Sequence, residues 1–321
     1  MDVTTDSTFP EDEMVKEKGV VCGEIDMNED NFPRKAYHVC MQSMYDGHPA
    51  GEPVIGTKEM VQGLSRNDLL SYIKDRYHAK NMMVVCAGGG VTKKTHGVLR
   101  RAFASVPEKG RKVVAPRFVK QAQTQPAITI HKKKTDQIHV AVGLPAVPVS
   151  HKDADVLFVI KSLLASGFSS RLWIRLREEM GAGYYVNAHH IGFIKTGNFM
   201  IRTGTNKKQL GDVIGAITEE LGVLRSVLVQ PKELARVKKA QAANMVMGLE
   251  TPEAYSDYYG FQAIYPGHDV RTPSQQLGAI KKVTAKDIQR FAKKYFKKEN
   301  VHIAVVGDVA PNTKLEKYIK L

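Results

Sequence analysis

Apolar and polar positions alternate with two different periods along this chain, and the order of the periods repeats. From Asp68, DLLSYIKDRYHAKNMMVVCAGGGV joins a helix-period segment, a basic turn and a short apolar strand that ends at glycine. From Asp287, DIQRFAKKYFKKENVHIAVVGDVA does the same. The offset of 219 (287 − 68) holds without a gap through Lys74/Lys293, Tyr77/Phe296, Asn81/Asn300 and Gly88/Gly307. Both helices open on a capping pattern, Ser65-x-x-Asp68 and Thr284-x-x-Asp287, in which a hydroxyl takes an orphan backbone N–H and an acid lies near the positive helix end. Upstream, FPEDEM matches QPKELA, with Glu13 facing Glu233. The pattern is that of a duplicated domain.

Between the copies, EKGRKVVAPRFVKQAQTQP is basic and lacks apolar periodicity, so residues 111–125 read as a surface linker. The second copy opens with strand-like AITIHKKK and QIHVAVGLP, followed by the helical HKDADVLFVIKSLLA. The expected division is therefore residues 1–110, the C-terminal part of a first domain, and residues 126–321, a complete second domain. A first copy of the same length would need roughly ninety residues more than precede the linker here.

The first helix is expected to begin at the capping box Thr8-x-x-Glu11, with Pro10 in its first turn. Glu17 and Glu24 follow, nearly two turns apart on one face, with Cα atoms about 10.5 Å apart along the axis. Zinc–oxygen bonds of about 2.0–2.2 Å mean that one ion is not readily ligated by both; one can ligate and the other support. On spacing alone the plainer reading leads, an exposed helix whose acids pair with Lys16 and Lys18. The second copy has Val237 and Asn244 at the corresponding positions, so the acids belong to one copy only.

Composition narrows the classes. With 43% apolar residues in 321, the chain can bury a substantial core. No apolar run approaches the roughly 18 residues of a membrane span, and the N-terminus lacks the basic start and apolar centre of a signal peptide, so a cytoplasmic location and no membrane partner are expected. Three scattered cysteines without a C-x-x-C pair argue against a disulfide framework or a cysteine zinc site. The formal charge of +14 raises nucleic acid as a partner. The lysines, however, fall in short groups without interleaved stacking aromatics, which favours solvated faces. Gly88-x-Gly90-x-x-Lys93 breaks the dinucleotide fingerprint, and His189 and His190 on one strand point to opposite faces.

Three stretches carry a resemblance. STFPEDEMVKEKGVVCGEIDMNEDNFPRKAYH, HPAGEPVIGTKEMVQGLSRNDLLSYIKDRYHAKNMMVVCAGG and SGFSSRLWIRLREEMGAGYYVNAHH, ending in AVVGDV, resemble the inverzincin metallopeptidases of the insulinase, pitrilysin and mitochondrial processing peptidase type. The resemblance implies an α+β fold, duplicated, each domain an antiparallel sheet packed by helices, with the first copy incomplete here. It implies a zinc endopeptidase that hydrolyses peptides or unfolded segments with a zinc-activated water, the metal held by two histidines of an H-x-x-E-H helix and a distal glutamate. Glu24 matches that ligand, Glu17 a supporting glutamate, and Arg177 and Tyr184 the pair that hydrogen-bonds the substrate and its tetrahedral intermediate. None of the eleven histidines begins an H-x-x-E-H, so this chain is expected not to assemble the zinc site alone. The alternative is a non-catalytic subunit paired with an active homologue. The partners implied are a peptide or unfolded-protein substrate and a homodimer or a heterodimer with a homologous subunit.

Overall fold

The computed structural model describes residue 4, residues 6–108, residue 110, residues 123–265 and residues 267–321. Most of the expected linker lies outside them. In chain order the helices are α1 (Glu11–Asp30), α2 (Phe32–Met44), α3 (Lys58–Gly63), α4 (Arg66–Arg76), α5 (Lys93–Ala102), α6 (Ala154–Ala165), the single turn α7 (Arg171–Trp173), α8 (Leu210–Ser226), α9 (Pro231–Gly248), α10 (Pro252–Ala263), α11 (Pro273–Lys282) and α12 (Ala285–Tyr295). The strands are β1 (Ala127–Lys132), β2 (Ile138–Ala146), β3 (Val186–Gly192), β4 (Gly197–Thr205) and β5 (His302–Gly307).

All five strands form one sheet of order β1-β5-β2-β4-β3. Every pairing is antiparallel except the edge pair β1/β5, which is parallel from Ala127↔His302 to Lys132↔Gly307. Successive side chains alternate between faces. Ile138, Val140, Val142, Phe199, Ile201, Ile303 and Val305 point into the main core with α6, α8 and α12. Ala141, Met200, Ala304 and Val306 point the other way, onto Ala36, Val39, Cys40 and Met41 of α2. Both faces are covered, which is why β2 and β5 read as nearly continuous apolar runs. A Cβ at Gly143 would come within 2.6 Å of Met44 Sδ and 2.7 Å of Cys40 Sγ, so α2 lies directly against β2.

The repeat is visible in the element boundaries. α4 and α12 begin and end 219 residues apart, as do the 3-10 turns Ala79–Asn81 and Lys298–Asn300. Both capping boxes form: the Ser65 and Thr284 hydroxyls accept from the backbone N–H of Asp68 and Asp287, whose carboxylates accept in return. The similarity stops at the strand. Met82–Ala87, expected as a strand like β5, runs on from an extended Met82 (φ −121°, ψ 147°) but pairs with no strand among the described residues. Its side chains stay open, with Met83 51% and Val84 47% exposed, whereas every residue of β5 is buried. The pattern of a strand is present there without a strand to pair it among the described residues.

The chain clusters into two compact units. One holds the residues up to Met27, those from Pro53 to the linker region, and Met247–Ile264; the other holds Asn28–Glu52, the residues from the linker region to Val246, and Tyr265–Leu321. α2 thus belongs with the sheet-bearing unit, and α10, which begins 220 residues later (252 − 32), with the other. Within that other unit α10 takes the same relation to Met82–Gly88 that α2 takes to β5: a Cβ on Gly260 would lie 3.4 Å from Val85, and one on Gly88 would lie 3.9 Å from Pro252.

Candidate functional site

The unit that carries α1 places both glutamates on one wall. Pro10, Met14, Glu17, Val21 and Glu24 follow a four-three-four-three spacing, which keeps them on a single helical stripe. All five line a cavity of about 680 Å³, together with Phe9, Ile55, Val61, Leu64 and Leu69. The wall is apolar apart from its acids, Lys18 and two hydroxyls. The helix begins at Glu11, later than a Thr8 cap predicts, because Phe9 sits at φ +47° and cannot be helical. The Arg66 guanidinium holds that bend, its Nε donating to the carbonyls of Thr8 and Phe9 at 3.1 and 3.0 Å and its Nη2 to Thr8 at 2.8 Å.

The lysines expected to neutralise the pair are occupied elsewhere. Lys16 pairs with Glu13 at 2.7 Å, and Lys18 donates to the Gln62 carbonyl at 2.9 Å. Neither Glu17 nor Glu24 has an ion-pair or hydrogen-bond partner among the described residues. Both residues line the cavity, and both side chains are exposed to solvent. Sequence reading found the shared face and missed its apolar company, although the spacing from Pro10 to Glu24 held that signal.

Arg177 and Tyr184 lie in the sheet-bearing unit. α7 runs into a π-helical turn, Ile174–Glu179, and Arg177 is exposed within it. The Leu176 carbonyl accepts from the N–H groups of both Ala182 and Gly183, at 2.8 and 2.9 Å, which folds the chain back sharply. Gly181 supplies the left-handed backbone at φ +58°, and a Cβ at Gly183 would press to 3.0 Å on that of Leu176. Arg177 Nη1 donates to the Gly183 carbonyl at 3.3 Å, and the next residue, Tyr184, is tied to β4 by its N–H to the Gly204 carbonyl at 3.0 Å. The turn thus ties the Arg177 side chain to the residue that precedes Tyr184, which is half exposed. The π-helical turn was not foreseen; such turns are frequent at functional sites. His189 and His190 go to separate partners, Arg202 and the Val147 carbonyl.

Zinc needs at least three protein ligands in a catalytic site. Among the described residues no group of three His, Cys, Asp or Glu side chains is placed to hold an ion. Glu24 and Glu17 offer carboxylate oxygens only, so these residues by themselves do not fit a zinc centre.

A family profile described as the peptidase M16 inactive domain matches residues 63–241. The chain belongs to the M16 peptidase family. It is similar to the uncharacterized zinc protease YmxG of Bacillus subtilis, 27% identical over 292 residues, 90% of this chain and 69% of that protein. To the zinc protease ML0855 of Mycobacterium leprae it is 26% identical over 321 residues, 100% of this chain and 72% of that one. The fold is that of a protease from Helicobacter pylori, with a TM-score of 0.84 at 21% identity over 93% of this chain and 73% of the other. Among the described residues no helix is long and apolar enough to cross a membrane.

Proposed function

We propose that this M16 chain is the ligand-completing and substrate-gripping portion of a zinc endopeptidase that acts on peptides or unfolded segments. Glu24 supplies one metal ligand, Glu17 supports the site, and Arg177 and Tyr184 donate hydrogen bonds to the substrate backbone and to the oxyanion that develops on its carbonyl. The two histidine ligands come from an H-x-x-E-H helix that is not in residues 1–321. The observation that carries the reading is the pair of unpaired carboxylates in an otherwise apolar helical stripe facing an apolar cavity. Both side chains are exposed, so their carboxylates stand open to an arriving cation.

The test uses the chain joined to an H-x-x-E-H segment, with bound zinc measured by elemental mass spectrometry beside peptide hydrolysis. Glu24→Gln is expected to lose zinc and activity together, and Tyr184→Phe to keep zinc and lose turnover by about tenfold to a hundredfold. Full zinc occupancy in Glu24→Gln would sink the ligand assignment.

A second reading, a non-catalytic subunit of an active homologue, is favoured by one observation, the match of residues 63–241 to the M16 inactive domain. Co-purification with a second chain that bears H-x-x-E-H supports it; a zinc-loaded, active product of the single joined polypeptide argues against it.

A further inference from the structure

The sheet-bearing unit contains a second cavity, of about 540 Å³, where β2 ends and β4 and β5 begin. That volume falls in the range of about 300–1,000 Å³ typical of small-molecule sites. Its lining includes apolar Ala127, Pro145 and Ala146 and two cations, Lys195 and Lys294. No acidic residue lines it among the described residues. The cavity thus joins two cations and apolar residues with neutral polar groups such as Gln123, Thr196 and Asn300.

One buried side chain faces it without a full set of partners. His302 is 7% exposed, and its Nδ1 lies 2.8 Å from the Ser43 hydroxyl. Its Nε2 has no hydrogen-bond partner among the described residues, yet it is not among the fully enclosed orphan nitrogens. Burial pushes the imidazole down to about 4, so the ring is neutral at pH 7. A neutral ring offers one N–H and one lone pair, and which nitrogen holds the proton is set by the partner of the other. When Ser43 donates to Nδ1, Nε2 becomes a donor aimed into the cavity.

We propose that this cavity binds the C-terminal carboxylate of a short peptide, with Lys195 and Lys294 attracting the charge, Nε2–H of His302 donating to it and Ala127, Pro145 and Ala146 receiving the neighbouring side chain. The identity of the ligand as a peptide rests on the peptidase reading; the anion preference rests on the lining alone. The site takes no part in bond cleavage. It retains a chain end, that of a substrate or of a product.

The test titrates the full chain, isotopically labelled at histidine, with N-acetyl-Ala-Ala, with its C-terminal amide and with inorganic phosphate at pH 7, following the His302 ring by NMR. The free acid is expected to bind and move His302 toward the Nε2–H tautomer, with the amide at least about tenfold weaker. Lys195→Gln and Lys294→Gln, both exposed, are each expected to weaken the acid by about tenfold while thermal unfolding stays in place. Equal binding of acid and amide, or no response at His302, overturns the proposal. Binding of phosphate without the peptide acid overturns the peptide assignment. Glu24→Gln leaves this titration unchanged, because it belongs to the other compact unit, so failure of the zinc reading and failure of this one are separable.

Discussion

Lowering the pH from 7 to 5 will destabilise the sheet-bearing unit, and His302 alone accounts for a share that can be measured. Its ordinary value of 6.5 falls to about 4 in the folded chain because burial disfavours the imidazolium. A folded value below the unfolded one means that the unfolded chain binds more protons between those limits. Stability is therefore complete above about 6.5, declines as pH falls through the interval, and levels off below about 4. The shift of about 2.5 corresponds to about 3 kcal/mol over the whole interval, of which about 2 kcal/mol is lost between pH 7 and pH 5. The sole tryptophan, Trp173, packs edge-on against Phe168 at 5.0 Å between ring centres and lies in the same compact unit, so its fluorescence reports unfolding there. His38, His131, His139, His151, His189 and His190 are lowered too, chiefly by burial, and contribute to the total acid loss. The His302 share is isolated by His302→Gln, in which the glutamine retains hydrogen-bonding groups without titrating. Urea denaturation of both proteins at pH 7 and 5 should show a drop about 2 kcal/mol smaller in the variant. Equal drops would refute the claim that His302 is held neutral by burial.

Three further outcomes follow from the packing. Asp153 is buried and chelated by Arg290 at 3.0 and 2.6 Å, a pairing that lowers its carboxyl; Asp153→Asn is expected to cost about 1–3 kcal/mol at pH 7, read from the urea midpoint. Thr284→Ala removes the acceptor for the Asp287 N–H and should cost about 1 kcal/mol by the same assay, while Thr284→Ser restores it. A fragment of residues 126–321 leaves Ala141, Met200, Ala304 and Val306 without α2; it should bind a hydrophobic dye strongly and gain solubility when residues 28–52 are restored, and a soluble, dye-silent fragment would contradict the packing.

How much of this was legible depended on whether a local pattern decided the outcome. The ends of α4 and α12 were, because Ser65, Asp68, Thr284 and Asp287 carry their own hydrogen-bonding instructions; the start of α1 was not, because Phe9 at φ +47° breaks the Thr8 cap. Strands β1, β2, β3 and β5 were, through alternation and apolar runs, whereas β4 was not read from the sequence. The assignment of α2 to the sheet was not: its apolar face fits any sheet, and only the small residues at Gly143, Ala141 and Ala304 select this one. The glutamates were placed on one face correctly, but their isolation depends on Lys18 reaching the Gln62 carbonyl across 44 residues of sequence. Nor does composition distinguish a π-helical turn at Ile174–Glu179 from an α-helical one, since the difference lies in which carbonyl each N–H reaches.

The open stretch Met82–Ala87 has a consequence for handling the isolated chain. MMVVCA is six residues without a charge, a proline or a glycine, rich in β-forming side chains and mostly exposed. Such windows are the units that stack into cross-β fibrils, and identical chains supply one another with the pairing that each lacks. Shelf life in concentrated solution would then be governed by self-templated fibril growth from this segment, even where the sheet-bearing unit stays fully folded. A single lysine at Val84 would slow that growth without touching the main core.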